Sequence, residues 1–141
     1  ATLLALVGLK RLGLEHLATE VLSTDTMPPA AGQGAIAVET RAGDTAVNAR
    51  LAAILDRDTG IALAAERAFL AALDGSCRTP IAGHAVVEGD EVRFRGEVLT
   101  PDGVESHVIE DRGAVADAEA IGRAAGEMLR SRLRPGFFEA T

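Results

Sequence analysis

The one cysteine of the chain, Cys77, lies in Asp74-Gly75-Ser76-Cys77-Arg78-Thr79-Pro80, just after a helical stretch. Two local effects on its thiol oppose each other. A helix C-terminus is electronegative and disfavours thiolate, while Arg78 favours it. A fast nucleophile does not follow from this. A Cys–His hydrolase would need His84 to reach Cys77 and a third group to orient the imidazole, and nothing in the spacing supports that constellation. The plain alternative is a buried, inert thiol. The small flanking residues suit something else: a thiol on an ordered, accessible loop as the attachment point for a bulky group.

Three other places invite a chemical reading. Gly32-Gln33-Gly34-Ala35 is too short for a P-loop and lacks its Lys-Ser/Thr. It reads as a tight turn feeding a buried strand. Its functional version is a backbone that approaches a ligand closely, with Gln33 donating an amide hydrogen bond. Lys10-Arg11 is the only basic pair in the first half. It is either a solvated helix end, with Arg11 paired to Glu15 at i, i+4, or an arginine fork for a ligand carboxylate. Glu66-Arg67 reads as a salt-bridged polar face. The histidines, His16, His84 and His107, lie far apart and form no metal-ligand motif.

The elements that must position these residues follow from periodicity. Residues 1–22 read as helical, with leucines at 3, 4, 6, 9, 12, 14, 17 and 22, and with Gly8 and Gly13 marking an end or a break. A loop rich in Pro, Ala and Gly spans 23–34, and Pro28-Pro29 bars it from helix or central strand. Residues 35–39 form a short, nearly continuous apolar run typical of a buried strand. Asp44 caps a helix to about Leu55, and Asp58 or Thr59 caps a second one that stops at Asp74-Gly75. Strands follow at 81–87, 92–98 and 104–110, with Gly96 the small member of the inward face. The first two are joined by Glu88-Gly89-Asp90, the last two by Thr100-Pro101-Asp102-Gly103. Asp117 caps a last helix with Ile121, Ala125, Met128 and Leu129 inward, and with Arg130, Arg132 and Arg134 near its negative end.

The segment 57–134 is thus helix–strand–strand–strand–helix: an α+β unit whose antiparallel meander is covered by helices on one face. Residues 1–56 do not close on themselves, and form an incomplete α/β remnant. The opening Ala1-Thr2-Leu3-Leu4-Ala5-Leu6 enters an apolar run with neither Met nor a capping residue, as a helix cut in its middle would. The expectation is a piece of a longer chain.

Composition narrows the function classes. With 141 residues the chain is one domain by size, or a small domain plus a piece of another. No stretch approaches ~18 consecutive apolar residues, so no membrane-spanning helix is expected. Aromatics are 3%, which disfavours base-stacking platforms. Fourteen Lys+Arg against 21 Asp+Glu, a net charge of −7, argue against a nucleic-acid partner. A single cysteine excludes internal disulfides, and a cytoplasmic location is expected.

Four motifs in order carry a resemblance: Gly8-Leu9-Lys10-Arg11-Leu12-Gly13, Gly32-Gln33-Gly34-Ala35-Ile36-Ala37-Val38-Glu39, Ala65-Glu66-Arg67-Ala68-Phe69-Leu70, and Leu73-Asp74-Gly75-Ser76-Cys77-Arg78-Thr79-Pro80-Ile81-Ala82-Gly83. Together they resemble the porphobilinogen deaminase (hydroxymethylbilane synthase) family over about residues 1–130, and only the C-terminal part of its proteins. The resemblance implies a three-domain transferase of tetrapyrrole (haem/chlorophyll) biosynthesis. On that map residues 1–33 are the tail of the α/β second domain and a connecting loop. Residues 34–56 are a strand and helix returning to the α/β first domain, and 57–141 are the C-terminal cofactor-attachment domain.

The resemblance also implies roles. Cys77 matches the cysteine that holds a dipyrromethane cofactor through a thioether, a primer on which four porphobilinogen molecules are condensed before hydroxymethylbilane is released. Arg11 matches a cleft arginine, and Gln33 a residue near the cofactor. The family's catalytic aspartate and most of its substrate-binding arginines precede residue 1, so no catalytic residue and no metal ligand is expected here, and the chain alone is expected to be inactive. The implied partners are porphobilinogen, the growing polypyrrole, and either the missing N-terminal half or a second copy of the chain. The competing reading is a free-standing α+β ligand-sensing or interaction module with a structural cysteine.

Overall fold

The computed structural model describes residues 2–75 and 79–139. The chain runs through α1 (Leu6–Arg11), a 3-10 turn (Glu15–Leu17), α2 (Thr45–Ala52), α3 (Arg57–Ala72), β1 (Ile81–Glu88), β2 (Glu91–Leu99), β3 (Ser106–Ala114), a second 3-10 turn (Val115–Asp117) and α4 (Ala118–Arg132). The three strands form one antiparallel sheet in the order β1-β2-β3. The α+β class and the meander are as the alternation of residues predicts.

Register decides which side chains meet. Ile81 pairs Val98, Gly83 pairs Gly96 and Ala85 pairs Phe94, while Gly96 pairs Ile109 on the other side. These positions share the face on which α3 and α4 pack, and their apolar side chains are buried. Phe69 of α3 and Phe94 of β2 meet with ring centroids 5.0 Å apart and planes tilted by 57°, a favoured aromatic geometry. The Phe69 ring lies over Gly96, where a Cβ would come within 2.7 Å of Phe69 Cε2. Gly96 is small because the ring needs that space.

Helix starts follow side-chain caps. Asp44 Oδ1 accepts from the Val47 N–H at 3.0 Å, as expected, although α2 ends at Ala52 and not near Leu55. The cap of α3 is Asp56, not Asp58 or Thr59: its Oδ1 accepts from the Thr59 N–H at 2.7 Å. Asp56 is extended (ψ 119), the conformation that turns a cap side chain back onto the first turn, whereas Asp58 and Thr59 are already helical. Asp117 holds the N-cap position of α4 without a capping bond. It ends a 3-10 turn with ψ 9, so its side chain is not in that extended geometry. Met128 is half-exposed, since Ala118, Ile121, Gly122, Ala125, Gly126 and Leu129 already make up the buried stripe of α4.

The first 56 residues depart further from expectation. Of the helix expected over residues 1–22, only Leu6–Arg11 is α-helical; Gly13, at φ 69, follows its end, and a 3-10 turn comes at Glu15–Leu17. Residues 35–39 join no ladder. A strand is stabilised by neighbours, and no strand among the described residues lies beside this one. No residue from 2 to 56 is buried. What ties this region to the sheet is the proline-rich loop. Ala30 bridges Ala82, and the Gly83 N–H donates to the Pro29 carbonyl at 3.0 Å.

Candidate functional site

Cys77 lies outside the described residues, as do Ser76 and Arg78. The chain on either side of them is fixed. The Gly75 N–H donates to the Leu70 carbonyl at 3.0 Å, after Asp74 turns the backbone to φ 52. A Cβ at Gly75 would lie 2.7 Å from Ile81 Cδ1, so a larger residue there would have to push aside the side chains between α3 and β1. On the far side the Pro80 carbonyl accepts from the Leu99 N–H at 3.0 Å. Arg130 of α4 reaches back to the Ala72 carbonyl at 3.1 Å and to Asp74 at 3.0 Å. Both ends of the cysteine segment are therefore pinned to the domain core.

Gln33 is exposed on a turn in which its own N–H donates to the Ala30 carbonyl at 3.1 Å. Gly32 (φ 79) and Gly34 (φ 83) hold the left-handed conformation that side chains disfavour. No heavy atom lies within 4 Å of where a Gly34 Cβ would be, which leaves the backbone open to a ligand.

The turn is held by Glu66, a residue whose sequence context suggests a polar face. Glu66 is 7% exposed. Its Oε2 accepts from the Gly32 N–H at 2.7 Å, and its Oε1 from the Ala85 N–H at 2.9 Å. His84 Nδ1 stands 3.8 Å from Oε1. The signal for this was present: Ala62, Glu66, Phe69 and Leu73 follow the i, i+4, i+7, i+11 stripe of a buried helix face, so a charge at 66 points inward. β1 is an edge strand, and its outward N–H groups at 83 and 85 need acceptors. Pro29 and Glu66 supply them.

Arg11 is exposed in the last turn of α1. Among the described residues it makes no ion pair, so the Arg11–Glu15 contact that the spacing allows is not formed. The described contacts join the Gln33 turn to β1 and α3, and bring Arg11 to neither. Other basic residues near the cysteine segment are engaged internally. Arg130 holds Asp74, and Arg134 Nε meets Glu105 at 3.2 Å with its guanidinium 5.8 Å from the Phe137 ring centroid. Among the described residues no group of three or more His, Cys, Asp or Glu gathers as a metal site, and no helix is long and apolar enough to cross a membrane.

Comparison with known proteins places this geometry. Residues 61–131 match the family model described as porphobilinogen deaminase, C-terminal domain. Residues 1–49 match the one described as porphobilinogen deaminase, dipyrromethane cofactor binding domain. A porphobilinogen deaminase of Nitrobacter hamburgensis is 55% identical over 138 residues, which is 98% of this chain and 44% of that protein. The chain thus spans less than half the length of this relative. Two successive family models, one covering α3 to α4 and the other the Gln33 turn, identify the chain: it belongs to the porphobilinogen deaminase family.

Proposed function

We propose that this chain is the C-terminal part of a hydroxymethylbilane synthase, a deaminating transferase that condenses four porphobilinogen molecules on a dipyrromethane primer. The observation that carries this reading is the placement of the Gln33 turn. It belongs to the stretch matched by the dipyrromethane cofactor binding domain, and it is fastened to the edge of β1, the strand that leaves the Cys77 segment.

The residues present fit such a group. Cys77 supplies the thioether sulfur on a segment whose two ends are locked to the core. The backbone at Gly34 has the open approach a flat, carboxylate-bearing ligand needs, and Gln33 offers an amide N–H. When bound, the dipyrromethane supplies the free pyrrole α-carbon that starts the chain. Arg11 contributes a cation for a pyrrole carboxylate once other parts of the protein bring it into the cleft. With a net charge of −7 this chain is not the main polyanion-binding surface. Residues 1–33 and 34–56 are then the remnants of two α/β domains, and 57–141 is the attachment domain. The exposed apolar residues of the first two pieces are covered by the preceding half of the enzyme, in the cytoplasm.

The test is direct. The longer protein that carries this sequence should form hydroxymethylbilane from porphobilinogen and show a dipyrromethane mass adduct on the Cys77 peptide. Cys77→Ser should lack both. The 141 residues alone should turn over no porphobilinogen, because the family resemblance assigns the catalytic aspartate to none of them. Turnover that survives Cys77→Ser would overturn the proposal.

A further inference from the structure

We infer that Glu66 is a positioning residue that sets the Gln33 turn against the strand leaving the Cys77 segment; the inference rests on the function proposed above. Its two carboxylate oxygens are divided between two pieces of chain that are far apart in sequence. One binds the N–H of Gly32, immediately before Gln33, and the other binds the N–H of Ala85, four residues into β1. The carboxylate therefore determines how far the turn stands from the sheet edge. A leucine there would fill the space but satisfy neither N–H.

Three features distinguish this from an ordinary buried ion pair. Both hydrogen-bond partners are backbone donors, and the neighbouring imidazole, His84 Nδ1, stands at 3.8 Å, beyond hydrogen-bond distance. The Gly32 bond is the shorter of the two, as befits a charge-assisted contact. And Gly32 sits at φ 79, so its N–H is aimed by a turn geometry that few other residues adopt. Pro29 and Ala30 hold the start of the same turn to β1 through Gly83 and Ala82. Glu66 is the contact that fixes its far side, next to Gln33.

Glu66→Gln in the intact protein tests this. The amide nitrogen would then face one of the two N–H donors, so one bond is lost with almost no change in volume. Amide exchange at Gly32 and Ala85 should accelerate about 10- to 100-fold, the scale of one hydrogen bond to a charged group. Exchange at Phe94 and Val98, in the middle of the sheet, should change less than about threefold, well inside the effect of a single ordinary hydrogen bond. Dipyrromethane occupancy of Cys77, read by intact mass on folded monomer, should fall with it. Arg67→Gln, at the exposed neighbouring position, should leave all three readouts as in the wild type. Equal acceleration at all four amides would mean that Glu66 only stabilises the fold, and would overturn the inference. So would localised acceleration with full occupancy. If no Glu66 variant folds, the wild-type Gly32 amide decides: exchange at the unstructured rate overturns the inference. A wild type without an adduct would overturn the proposed function, whereas the exchange rates would still support or overturn the Gly32 contact by themselves.

Discussion

Carboxylates on this domain are held by different partners, and the difference predicts their response to acid. Glu105 accepts from His107 Nε2 at 3.0 Å and meets Arg134 Nε at 3.2 Å. The His107 bond, followed by Arg134, holds its carboxyl below the ordinary glutamate value. Asp102 is likewise lowered, first by the Thr100 hydroxyl at 2.6 Å and then by the Val104 N–H at 3.1 Å. A pKa that is lower folded than unfolded means that the unfolded chain takes up the proton first. The stabilisation is then complete above the unfolded value and is lost as pH falls through the folded one. Arg134 also lies over Phe137, which meets Phe138 edge-to-face and lies beside His107, so the Glu105 contact fastens the C-terminal segment to the β2–β3 turn. Glu105→Gln should therefore be less stable than the wild type at neutral pH, and the gap should narrow below about pH 4.3, where an ordinary glutamate protonates, and close as pH falls through the lower folded value. Urea melts at pH 7 and pH 3 check this. A gap that widens in acid would contradict the assignment of Glu105 as the group responsible.

The pairing of α3 and α4 depends on glycines that look dispensable in the sequence. A Cβ on Gly122 would meet the backbone of Ala65, 2.7 Å from its carbonyl carbon and 2.9 Å from its Cα, and one on Gly126 would come within 2.6 Å of Ala72 Cβ. The helices touch along these small residues. Gly122→Ala should gain up to ~1 kcal/mol of helix propensity, but backbone cannot move aside as a side chain does, and forcing the helices apart costs about 1–3 kcal/mol. We expect a net loss, read as a Tm lower by several degrees. Gly60→Ala in α3, where no heavy atom lies within 4 Å, should be neutral or stabilising. Equal effects at the two sites would show that the helix contact is looser than described. The α+β unit was legible because β2 alternates apolar and charged residues and α3 and α4 carry clear apolar stripes. The close approach at Gly122 was not, since periodicity marks hydrophobic positions and is silent on missing side chains. Glu66 departs from expectation for the opposite reason: its charge suggests the solvent face, while its position on the stripe of Ala62, Phe69 and Leu73 points inward. The strand expected at 35–39 has a strand's composition, but pairing is a property of neighbours, and no such neighbour is among the described residues.

At the scale of the whole molecule, burial is confined to one part of the chain. Among the described residues every buried one lies between Ala65 and Phe137, while Leu3, Leu4, Val7, Leu12 and Leu17 are exposed and Ile36 is 91% exposed. Burying one such side chain contributes roughly 1.5–3 kcal/mol, and none of these contributes it here. The helix over residues 6–11 spans six residues, far below the ~12–15 at which an isolated helix becomes marginal in water. Without a face to pack on, it has neither length nor burial to hold it. The sheet, by contrast, puts Val92, Phe94 and Val98 at zero exposure under two helices. Opening free energies should divide accordingly, because local stability follows local burial. For this chain as a monomer, amides of residues 6–11 should exchange at close to the unstructured rate, while those of Phe94 and Val98 open only with global unfolding. Limited proteolysis should cut first between residues 2 and 55, outside the loop fastened by Pro29 and Gly32, and leave a resistant core from α3 onward. On the function proposed above, the same leucines should become protected in a full-length enzyme whose other domains close over them. Protection of residues 6–11 equal to that of β2, in a sample that light scattering shows to be monomeric, would mean that the first 56 residues bury this helix unaided.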